Sequence, residues 1–326
     1  MNSQDADKFY EISSSELFGK QKVKLFEIDH IIFDFGGVLA ERSFILKNLL
    51  DNIENDLSIK IPRIENIYYR KIKRQLSSGR ITSREFLELI INKYYYPFQK
   101  RNGALPTKKL NIDYYLELWF QLHIKLTKLS KDMRKIIERF HNAGYTVNLM
   151  SNVYDLYAKS YEIRGFYDLF DNVFLSNEIG LIKPDIDKYK YVLNKLSAKP
   201  KQCIFIDDKI QNLVPARTLG MIVVNFKSFK KFTEQLDCLG FNEVSKRFRD
   251  EIEKKYQVYR MKKKQYKRAR KAYKKSKKKF LNKKGKSEKE LKEFKQKQEE
   301  YHKIKLEFQK EKEIKKHELI VKCELD

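Results

Sequence analysis

Short apolar runs alternate with amphipathic segments along most of this chain. Five runs are predicted to be buried β-strands, because they are rich in β-branched or aromatic residues and end at glycine or polar residues. They cover residues 31–33, 147–150, 173–175, 203–207 and 222–224. Strands separated by helices form a parallel sheet with helices on both faces. The pattern therefore predicts an α/β fold with a Rossmann-like, doubly wound parallel sheet.

Residues 43–129 follow the first strand and carry a helical pattern instead. Apolar residues recur at three- and four-residue steps within 44–50 and 64–72, and a further amphipathic helix is predicted over 114–129. These helices are expected either to cover a site on the sheet or to form a bundle with no role at a site. Ser130 is predicted to cap the helix that resumes the α/β alternation.

One helix of this region has a clear start signal. Thr82 is followed three residues later by Glu85, which makes a capping box. Pro97 is predicted to end that helix, because proline lacks the backbone N–H that a helix interior requires. Residues 100–109 are predicted to form a loop.

The last eighty-odd residues have a different period. Apolar or aromatic residues recur at seven-residue steps, and Ser287 occupies the one step that is skipped: Ile252, Tyr259, Tyr266, Tyr273, Phe280, Phe294, Tyr301 and Phe308. This spacing predicts long helices with one narrow apolar stripe. The second apolar position that each heptad of a good coiled coil requires is missing. A basic helical hairpin that turns near residues 282–287 is expected, packed on itself or on the core.

The charge of the chain is concentrated in this C-terminal segment. The net charge is +26, and residues 245–326 hold 32 Lys and Arg against 14 Asp and Glu, which is +18. Residues 254–286 hold 18 Lys and Arg and no acidic residue. Such a run indicates nucleic acid or another polyanion as a partner, an acidic protein, an anionic membrane surface, or a solvated helix. Residues 262–279 also resemble a nuclear-localisation cluster.

Composition limits the other classes of function. No apolar run is long enough to predict a membrane span, and the first 25 residues lack the apolar segment of a secretory signal. The three cysteines are widely spaced, which is typical of a reducing compartment. A cytoplasmic protein is therefore expected, with a nuclear location as the alternative.

Four polar motifs follow apolar elements in the α/β part. Asp34, Gly36 and Gly37 end the first strand, and Ser151 with Asn152 ends the second. A lysine directly before a proline, Lys183, comes next, and two carboxylates, Asp207 and Asp208, end a later strand. The carboxyl ends of parallel strands are where ligands bind in such sheets. A carboxylate beside glycines suits either a nucleophile or a metal ligand there.

Together and in this order, the motifs resemble those of the haloacid dehalogenase-like hydrolase superfamily, most of whose members are magnesium-dependent phosphatases. The resemblance covers about residues 28–241. It implies a substrate-selecting helical cap that shields the site from water. The implied divisions are a polar lead-in at 1–27, a hydrolase core at 28–42 and 130–241, a cap at 43–129, and a basic helical tail at 245–326.

The resemblance implies a role for each residue in phosphate-ester hydrolysis. Asp34 would attack phosphorus and form an aspartyl-phosphate, and Lys183 would neutralise the nucleophile and the phosphate. Ser151 and the backbone of Asn152 would donate hydrogen bonds to the phosphoryl oxygens. The substrate would be a small phosphorylated metabolite.

The resemblance also implies a Mg²⁺ site. Asp34, the Gly36 carbonyl, Asp207 and Asp208 would hold the ion, since oxygen ligands suit this hard cation. Asp208 would bind it directly and Asp207 through water, and Asn212 would support the pair from the next helical turn.

Simpler interpretations exist for each motif taken alone. Ser151 would then be the N-cap of the following helix, and Lys183 a solvated surface lysine. Asp207 and Asp208 would only cap the end of their strand. The joint occurrence of the motifs favours a site over these alternatives.

The first motif departs from that of many family phosphatases, which carry a second aspartate two residues after the nucleophile. Gly36 occupies that position here. General acid catalysis contributes about 10²–10⁴-fold, so ordinary alkyl phosphates should be hydrolysed slowly. Three explanations remain: a substrate with a good leaving group, a proton supplied by Glu41 or a cap residue, or a domain that has lost efficient catalysis.

Two functions are therefore expected. The first is a Mg²⁺-dependent phosphohydrolase that acts through an aspartyl-phosphate. The alternative is a catalytically weak or inactive scaffold whose basic tail contacts nucleic acid or another polyanion.

Overall fold

A computed structural model describes residues 21–23, 27–63, 65–101, 110–239, 241, 246–282, 287–318 and 321–323. The chain divides into two compact units, one built mainly from residues 28–236 and the other from 237–323 together with 22–27. Most of the predicted lead-in, residues 1–20 and 24–26, lies outside the described residues.

The strands are, in chain order, β1 (Gln21–Val23), β2 (His30–Phe33), β3 (Thr146–Ser151), β4 (Asn172–Leu175), β5 (Cys203–Asp207), β6 (Ile222–Asn225) and β7 (Val321–Cys323). The helices are α1 (Ile45–Leu57), α2 (Ile67–Ser77), α3 (Ser83–Arg101), α4 (Ile112–Leu126), α5 (Lys131–Asn142), α6 (Asp155–Ile163), α7 (Ser176–Ile179), α8 (Ile186–Lys195), α9 (Ile210–Leu219), α10 (Phe229–Cys238), α11 (Lys246–Leu281) and α12 (Glu288–Glu318). No described helix combines the length and apolar character needed to cross a membrane.

The first unit contains a five-stranded sheet in the order β4-β3-β2-β5-β6. Every neighbouring pair is parallel, which confirms the predicted α/β fold with a doubly wound sheet. The chain proceeds outward from β2 through β3 to β4, then returns to the other side of β2 with β5. Ligands bind in sheets of this kind where the strand order reverses, at the carboxyl ends of the strands. This location corresponds to the ends of β2 and β5.

The register aligns the strand ends that carry the polar motifs. Phe33 of β2 pairs with Leu149 of β3 on one side and with Ile206 of β5 on the other. Asp34 and Asp207 each follow one residue later, and the Asp34 N–H donates to the Ile206 carbonyl over 2.9 Å. The first and fourth motifs therefore meet at one edge of the sheet.

The sheet is held by a dry core on the face that α8 and α9 cover. Ile32, Tyr189 and Phe205 are fully buried in this cluster, and Cys203 is buried with them. Burying one large apolar side chain contributes about 1.5–3 kcal/mol. Cys203 therefore acts as a small core residue, and burial raises the pKa of its thiol to about 12.

Helices α1 to α4 form the helical cap between β2 and β3. They enclose a separate cluster in which Leu49, Phe86 and Trp119 are fully buried. The Trp119 indole donates to the Tyr157 hydroxyl over 2.9 Å, and Tyr154 packs against the same cluster. Both tyrosines belong to the segment that follows β3, so the cap rests on that side of the sheet.

The prediction that Pro97 ends its helix is wrong. Helix α3 continues through Pro97 to Arg101, whose Nε donates to the Pro97 carbonyl over 3.3 Å. Tyr94 and Phe98, on either side of the proline, pack against the cap cluster. This packing offsets the loss of one backbone hydrogen bond. Lys100 and Arg101 of the predicted loop belong to this helix, and residues 102–109 lie outside the described residues.

The predicted helix starts agree with the structure. The Thr82 N–H donates to Glu85 over 2.7 Å, and the Glu85 N–H donates to the Thr82 hydroxyl over 3.2 Å, which completes the capping box. Ser130 accepts a hydrogen bond from the Met133 N–H over 3.3 Å. The sequence therefore located the ends of these elements through their caps.

The second unit contains the predicted helical extension, in which α11 and α12 run antiparallel. Seven rings from the two helices alternate along their contact, in the order Phe280, Phe294, Tyr273, Tyr301, Tyr266, Phe308 and Tyr259. Successive ring centroids lie between 4.5 and 6.1 Å apart. We refer to these seven rings as the aromatic ladder. The two helices of the predicted hairpin thus contact each other, and residues 283–286 of its predicted turn lie outside the described residues.

Candidate active site

A buried lysine joins the first and fourth motifs. The Lys183 ammonium lies 2.7 Å from Oδ1 of Asp34 and 2.7 Å from Oδ2 of Asp207. Its side chain is only 1% exposed. The interpretation of Lys183 as a solvated surface lysine is therefore wrong. Two buried carboxylates share one buried ammonium group. When all three groups are ionised, their net charge is negative, which favours a further cation nearby.

Electrostatics favour the ionised form of this cluster near neutral pH. Burial raises the pKa of Asp34 to about 6, the Asp207 charge adds to the rise, and Lys183 opposes it. Burial alone would lower the pKa of Lys183, but Asp207 and Asp34 raise it above its ordinary value. At pH 7 the lysine is charged and Asp34 is mainly a carboxylate, which is the form that a nucleophile needs.

Asp207 is fully occupied by hydrogen bonds. The Asn212 amide donates to both of its oxygens over 3.0 Å, and the Lys209 N–H donates to Oδ1 over 2.8 Å. Asn212 thus contacts Asp207 from the first turn of α9. Asp207 accepts from a backbone N–H just beyond its strand, so it also caps the end of that strand. The same contacts therefore fit both a residue of the site and a strand-end cap.

Asp208 differs from its neighbour in having a free oxygen. Its Oδ2 is paired with Arg42, but its Oδ1 is buried and has no hydrogen-bond partner in the described part of the chain. Gly37 makes room for this carboxylate, since it has a φ of +92° and a Cβ there would overlap Asp208. This buried oxygen is therefore available to coordinate a cation.

The carboxylates of Asp34, Asp207 and Asp208 fit a divalent cation. One oxygen from each lies within 4.8 Å of the others. Hard cations such as Mg²⁺ take oxygen ligands of this type, and the free Oδ1 of Asp208 offers one. Gly36 is exposed one residue beyond Phe35 and forms an isolated bridge with Ala40.

The second motif lies at the neighbouring strand end. Ser151 is the buried last residue of β3. Helix α6 begins at Asp155, so Ser151 is not its N-cap. The Asn152 amide donates to the Lys183 carbonyl over 2.8 Å and its Oδ1 accepts from the Lys183 N–H over 2.8 Å. Asn152 therefore contacts the third motif through its side chain and fixes the backbone of Lys183.

A second buried lysine supports this motif and was missed in the sequence. The Lys188 side chain is fully buried, and its Nζ donates to the Ser151 carbonyl over 2.7 Å and to Asn152 Oδ1 over 3.2 Å. Burial lowers the pKa of Lys188 well below its ordinary value. Its position one turn before Val192, on the buried face of α8, was the available signal.

The cap touches the core beside the third motif. Arg74 of α2 pairs with Asp185 over 2.6 Å, two residues after Lys183. The Ser176 hydroxyl donates to the Ser77 carbonyl over 2.5 Å at the carboxyl end of the same helix. Glu41 lies exposed on the loop before α1. The carboxyl half of α2 is therefore the part of the cap nearest to the Lys183 loop.

A capped α/β sheet with clustered carboxylates defines the class of this protein. A sequence profile of the haloacid dehalogenase-like hydrolase family matches residues 28–220, more than half of the chain. The chain therefore belongs to this hydrolase family, as its motifs predicted.

Several characterised proteins are similar in sequence. The sesquiterpene phosphatase of Aspergillus oryzae is 32% identical over 95 residues, which are 28% of this chain and 46% of that protein. Bifunctional epoxide hydrolase 2 of Rattus norvegicus is 25% identical over 201 residues, 59% of this chain and 35% of that protein. The D-ribitol-5-phosphate phosphatase of Bacteroides thetaiotaomicron is 24% identical over 211 residues, 59% of this chain and 89% of that protein. The chain thus spans less than half of the first two relatives.

The fold is also similar to that of a solved enzyme of the same family from Bacteroides thetaiotaomicron. The sequence identity is 22% and the TM-score is 0.48, and the match covers 64% of this chain and 97% of that chain.

Proposed function

We propose that the first unit is a Mg²⁺-dependent phosphohydrolase that acts on a small phosphorylated metabolite through an aspartyl-phosphate. The observation that carries the proposal is the position of the Lys183 ammonium, 2.7 Å from both Asp34 and Asp207. The similarity to proteins named as phosphatases, one of them for ribitol 5-phosphate, supports the substrate class.

The Asp34 carboxylate performs the first step. One of its oxygens forms a bond to phosphorus while the bond between phosphorus and the leaving oxygen breaks, and the leaving oxygen takes up a proton. Water then attacks the phosphorus of the aspartyl-phosphate, and the bond to Asp34 breaks to release inorganic phosphate. Lys183 balances the charge of Asp34 and of the transferred phosphoryl group. Ser151 and the Asn152 backbone donate to the phosphoryl oxygens.

Asp34, the Gly36 carbonyl, Asp207 and Asp208 are the residues that would hold Mg²⁺. When bound, the ion supplies positive charge that offsets the charge of the carboxylates and of the phosphoryl group. Asp208 is better placed than Asp207 to bind it directly, because the four hydrogen bonds to Asp207 already use both of its oxygens.

The motifs provide no side chain that would protonate the leaving group. Gly36 has no side chain to donate a proton, so the substrate class that fits best is one with a good leaving group, such as an anomeric, acyl or aryl phosphate. Glu41 and the residues of the cap are the other sources of a proton.

The test compares hydrolysis of 4-nitrophenyl phosphate by the wild-type chain and by Asp34→Asn, each with Mg²⁺. We expect the variant to lose on the order of 10³-fold or more in kcat/KM, since removal of a nucleophile abolishes the covalent route. Asp132→Asn, which changes an exposed aspartate on α5, is the matched control and should retain activity. Borohydride reduction of the acid-quenched wild type should convert Asp34 to homoserine, which mass spectrometry of its peptide detects.

The second candidate is a catalytically weak scaffold whose basic segment, residues 254–286, contacts nucleic acid or another polyanion. The observation that favours it is Gly36 at the general acid position. Equal turnover by wild type and Asp34→Asn, with no homoserine at position 34, would replace the first proposal by this one.

A further inference from the structure

The basic helix α11 carries a continuous row of exposed lysines along its length. Lys264, Lys267, Lys271, Lys274 and Lys278 are all exposed and follow one another at steps of three and four residues. Such steps place residues in one row along a helix. With a rise of 1.5 Å per residue, the row is about 21 Å long. We call these five lysines the central basic row.

Two shorter rows flank the central basic row, and all of their members are exposed. They are Lys263, Arg270 and Lys277 on one side and Arg268, Lys275 and Lys279 on the other. Helix α12 does not compensate this charge, because residues 287–326 hold 11 basic and 11 acidic residues of their own. The hairpin therefore presents a broad positive face from a single helix.

The aromatic rings are not part of this face. The rings of α11 stack on those of α12, for example Tyr273 on Tyr301 with centroids 4.8 Å apart and ring planes 2° apart. Tyrosines interleaved with basic residues can in general stack on the bases of a nucleic acid. The structure uses their faces inside the hairpin, so they are not available to stack on unpaired bases.

A basic face without accessible aromatic rings favours some polyanions over others. Single-stranded nucleic acid is held by stacking as well as by charge, and stacking is lost here. Stable attachment to a membrane takes an apolar face or a lipid in addition to a basic patch, and the aromatic stripe of α11 faces the other helix. A duplex offers the highest phosphate density, one charge per about 1.7 Å of axis, and binds through charge alone.

We propose that the central basic row and its two flanking rows bind the phosphate backbone of double-stranded nucleic acid, without reading its sequence. Lysines and arginines on both sides of one helix suit a groove that phosphates border on each side. Contacts with about six phosphates are expected, which gives a slope of roughly −5 for log K against log salt concentration. This function is independent of hydrolysis at Asp34.

The test uses the full-length chain and a fluorescent 30-base-pair DNA duplex, with affinity measured by anisotropy at several salt concentrations. Between 50 and 200 mM salt, the affinity should fall on the order of 10³-fold. The variant in which Lys264, Lys267, Lys271 and Lys274 are changed to Gln should lose at least about 10²-fold in affinity, and its salt slope should become shallower by about 3–4.

The matched control changes four exposed lysines of α12, at positions 289, 292, 295 and 303, to Gln. It has the same net charge as the first variant, and it should bind the duplex within about threefold of wild type, because at physiological salt charges act over about 8 Å. Equal weakening in both variants would overturn the proposal, since net charge alone would then explain binding.

Two further arms separate the other polyanions. A single strand of the same sequence should bind more weakly than the duplex, and tighter binding of the single strand would overturn the proposal. Vesicles rich in phosphatidylserine that bind the chain while the duplex does not would also overturn it. Asp34→Asn should bind the duplex as wild type does, so a failure of the proposed hydrolase leaves this result unaffected.

Discussion

Gly37 leaves the space that the carboxylate of Asp208 occupies. A Cβ at position 37 would overlap Oδ2 of Asp208, whereas a Cβ at Gly36 would meet nothing within 4 Å. The two adjacent glycines of the first motif therefore differ in what they require. Gly37 is needed for a close approach, and Gly36 is not needed for steric reasons.

Replacing Gly37 should damage the carboxylate cluster. Gly37→Ala places a side chain at a φ of +92° and displaces Asp208, and we expect a loss of stability of about 1–2 kcal/mol from the backbone alone. Mg²⁺ binding measured by calorimetry should weaken as well. Gly36→Ala is the steric control: it keeps the backbone carbonyl at position 36, and its Cβ meets nothing within 4 Å, so the variant should melt as the wild type does. Equal losses in the two variants would contradict this account of Gly37.

Restoring a proton donor should broaden the range of substrates. Gly36→Asp places a carboxyl group in open space two residues after Asp34. Hydrolysis of glycerol 2-phosphate should rise at least about tenfold, because alkyl leaving groups need protonation, and hydrolysis of 4-nitrophenyl phosphate should change little.

Gly36→Asn serves as the control for that gain, since asparagine has nearly the same shape but supplies no acidic proton. If both variants raise the rate for glycerol 2-phosphate equally, the missing general acid does not limit the reaction.

Lys188 is predicted to position the second and third motifs. Lys188→Met keeps an unbranched side chain that is one atom shorter, and it removes the donor to the Ser151 carbonyl and to Asn152 Oδ1. We expect KM for 4-nitrophenyl phosphate to rise about tenfold or more while the aspartyl-phosphate still forms at Asp34. Lys190→Met, an exposed lysine on the same helix, is the control. A variant with unchanged KM would show that Lys188 only fills the core.

The linkage of Lys188 to pH has a definite sign. Its pKa in the folded chain lies well below 10.5, so the unfolded chain binds more protons between these two values. The wild type should therefore gain stability relative to Lys188→Met as pH rises towards 10.5. A constant difference between the two chains would mean that Lys188 is charged when folded.

The buried His123 is expected to lower the free energy of unfolding in acid. Burial lowers its pKa to about 3, and Arg164 adds to this, against an ordinary value of 6.5. The stabilising effect of a neutral His123 is complete above pH 6.5 and is lost as pH falls towards 3, because only the unfolded chain then takes up the proton.

Between pH 7 and 5, the wild type should lose about 2 kcal/mol that His123→Phe retains. The free energies of unfolding of the two chains are measured in urea, with the fluorescence of Trp119, the single tryptophan of the chain, as the signal. Trp119 donates to Tyr157, on which the His123 ring stacks with centroids 4.1 Å apart, so the probe reports on the same part of the cap. Parallel pH profiles for the two chains would exclude His123 as the cause.

The sequence located the sheet and its motifs because both depend on local patterns. An apolar run that ends at Asp34 or Asp207 is visible in a short window. The burial of Lys188 was indicated only weakly, by its place one turn before Val192, because it depends on how α8 packs on β3. The pair of Arg42 with Asp208 joins residues that are 166 positions apart, which no local pattern indicates.

Two further differences between the sequence-based predictions and the structure have the same physical origin. Pro97 has a local preference to end a helix, and packing of its neighbours in the cap overrides it. The tyrosines of the C-terminal segment were correctly spaced for a helical stripe, but only the antiparallel partner shows that their faces are used internally. Tertiary contacts decided both cases.

The aromatic ladder fixes how the two helices can align. Since the rings recur every seven residues on both helices, a sliding motion by one or two residues would separate every stacked pair at once. The nearest alternative alignment that restores stacking is a shift of one whole heptad, about 10 Å along the helix, and it leaves at least one ring of the ladder without a partner. The hairpin is therefore expected to behave as a rigid rod with a single alignment of its two helices. That alignment fixes both the length of the rod and the positions of the charged residues along it.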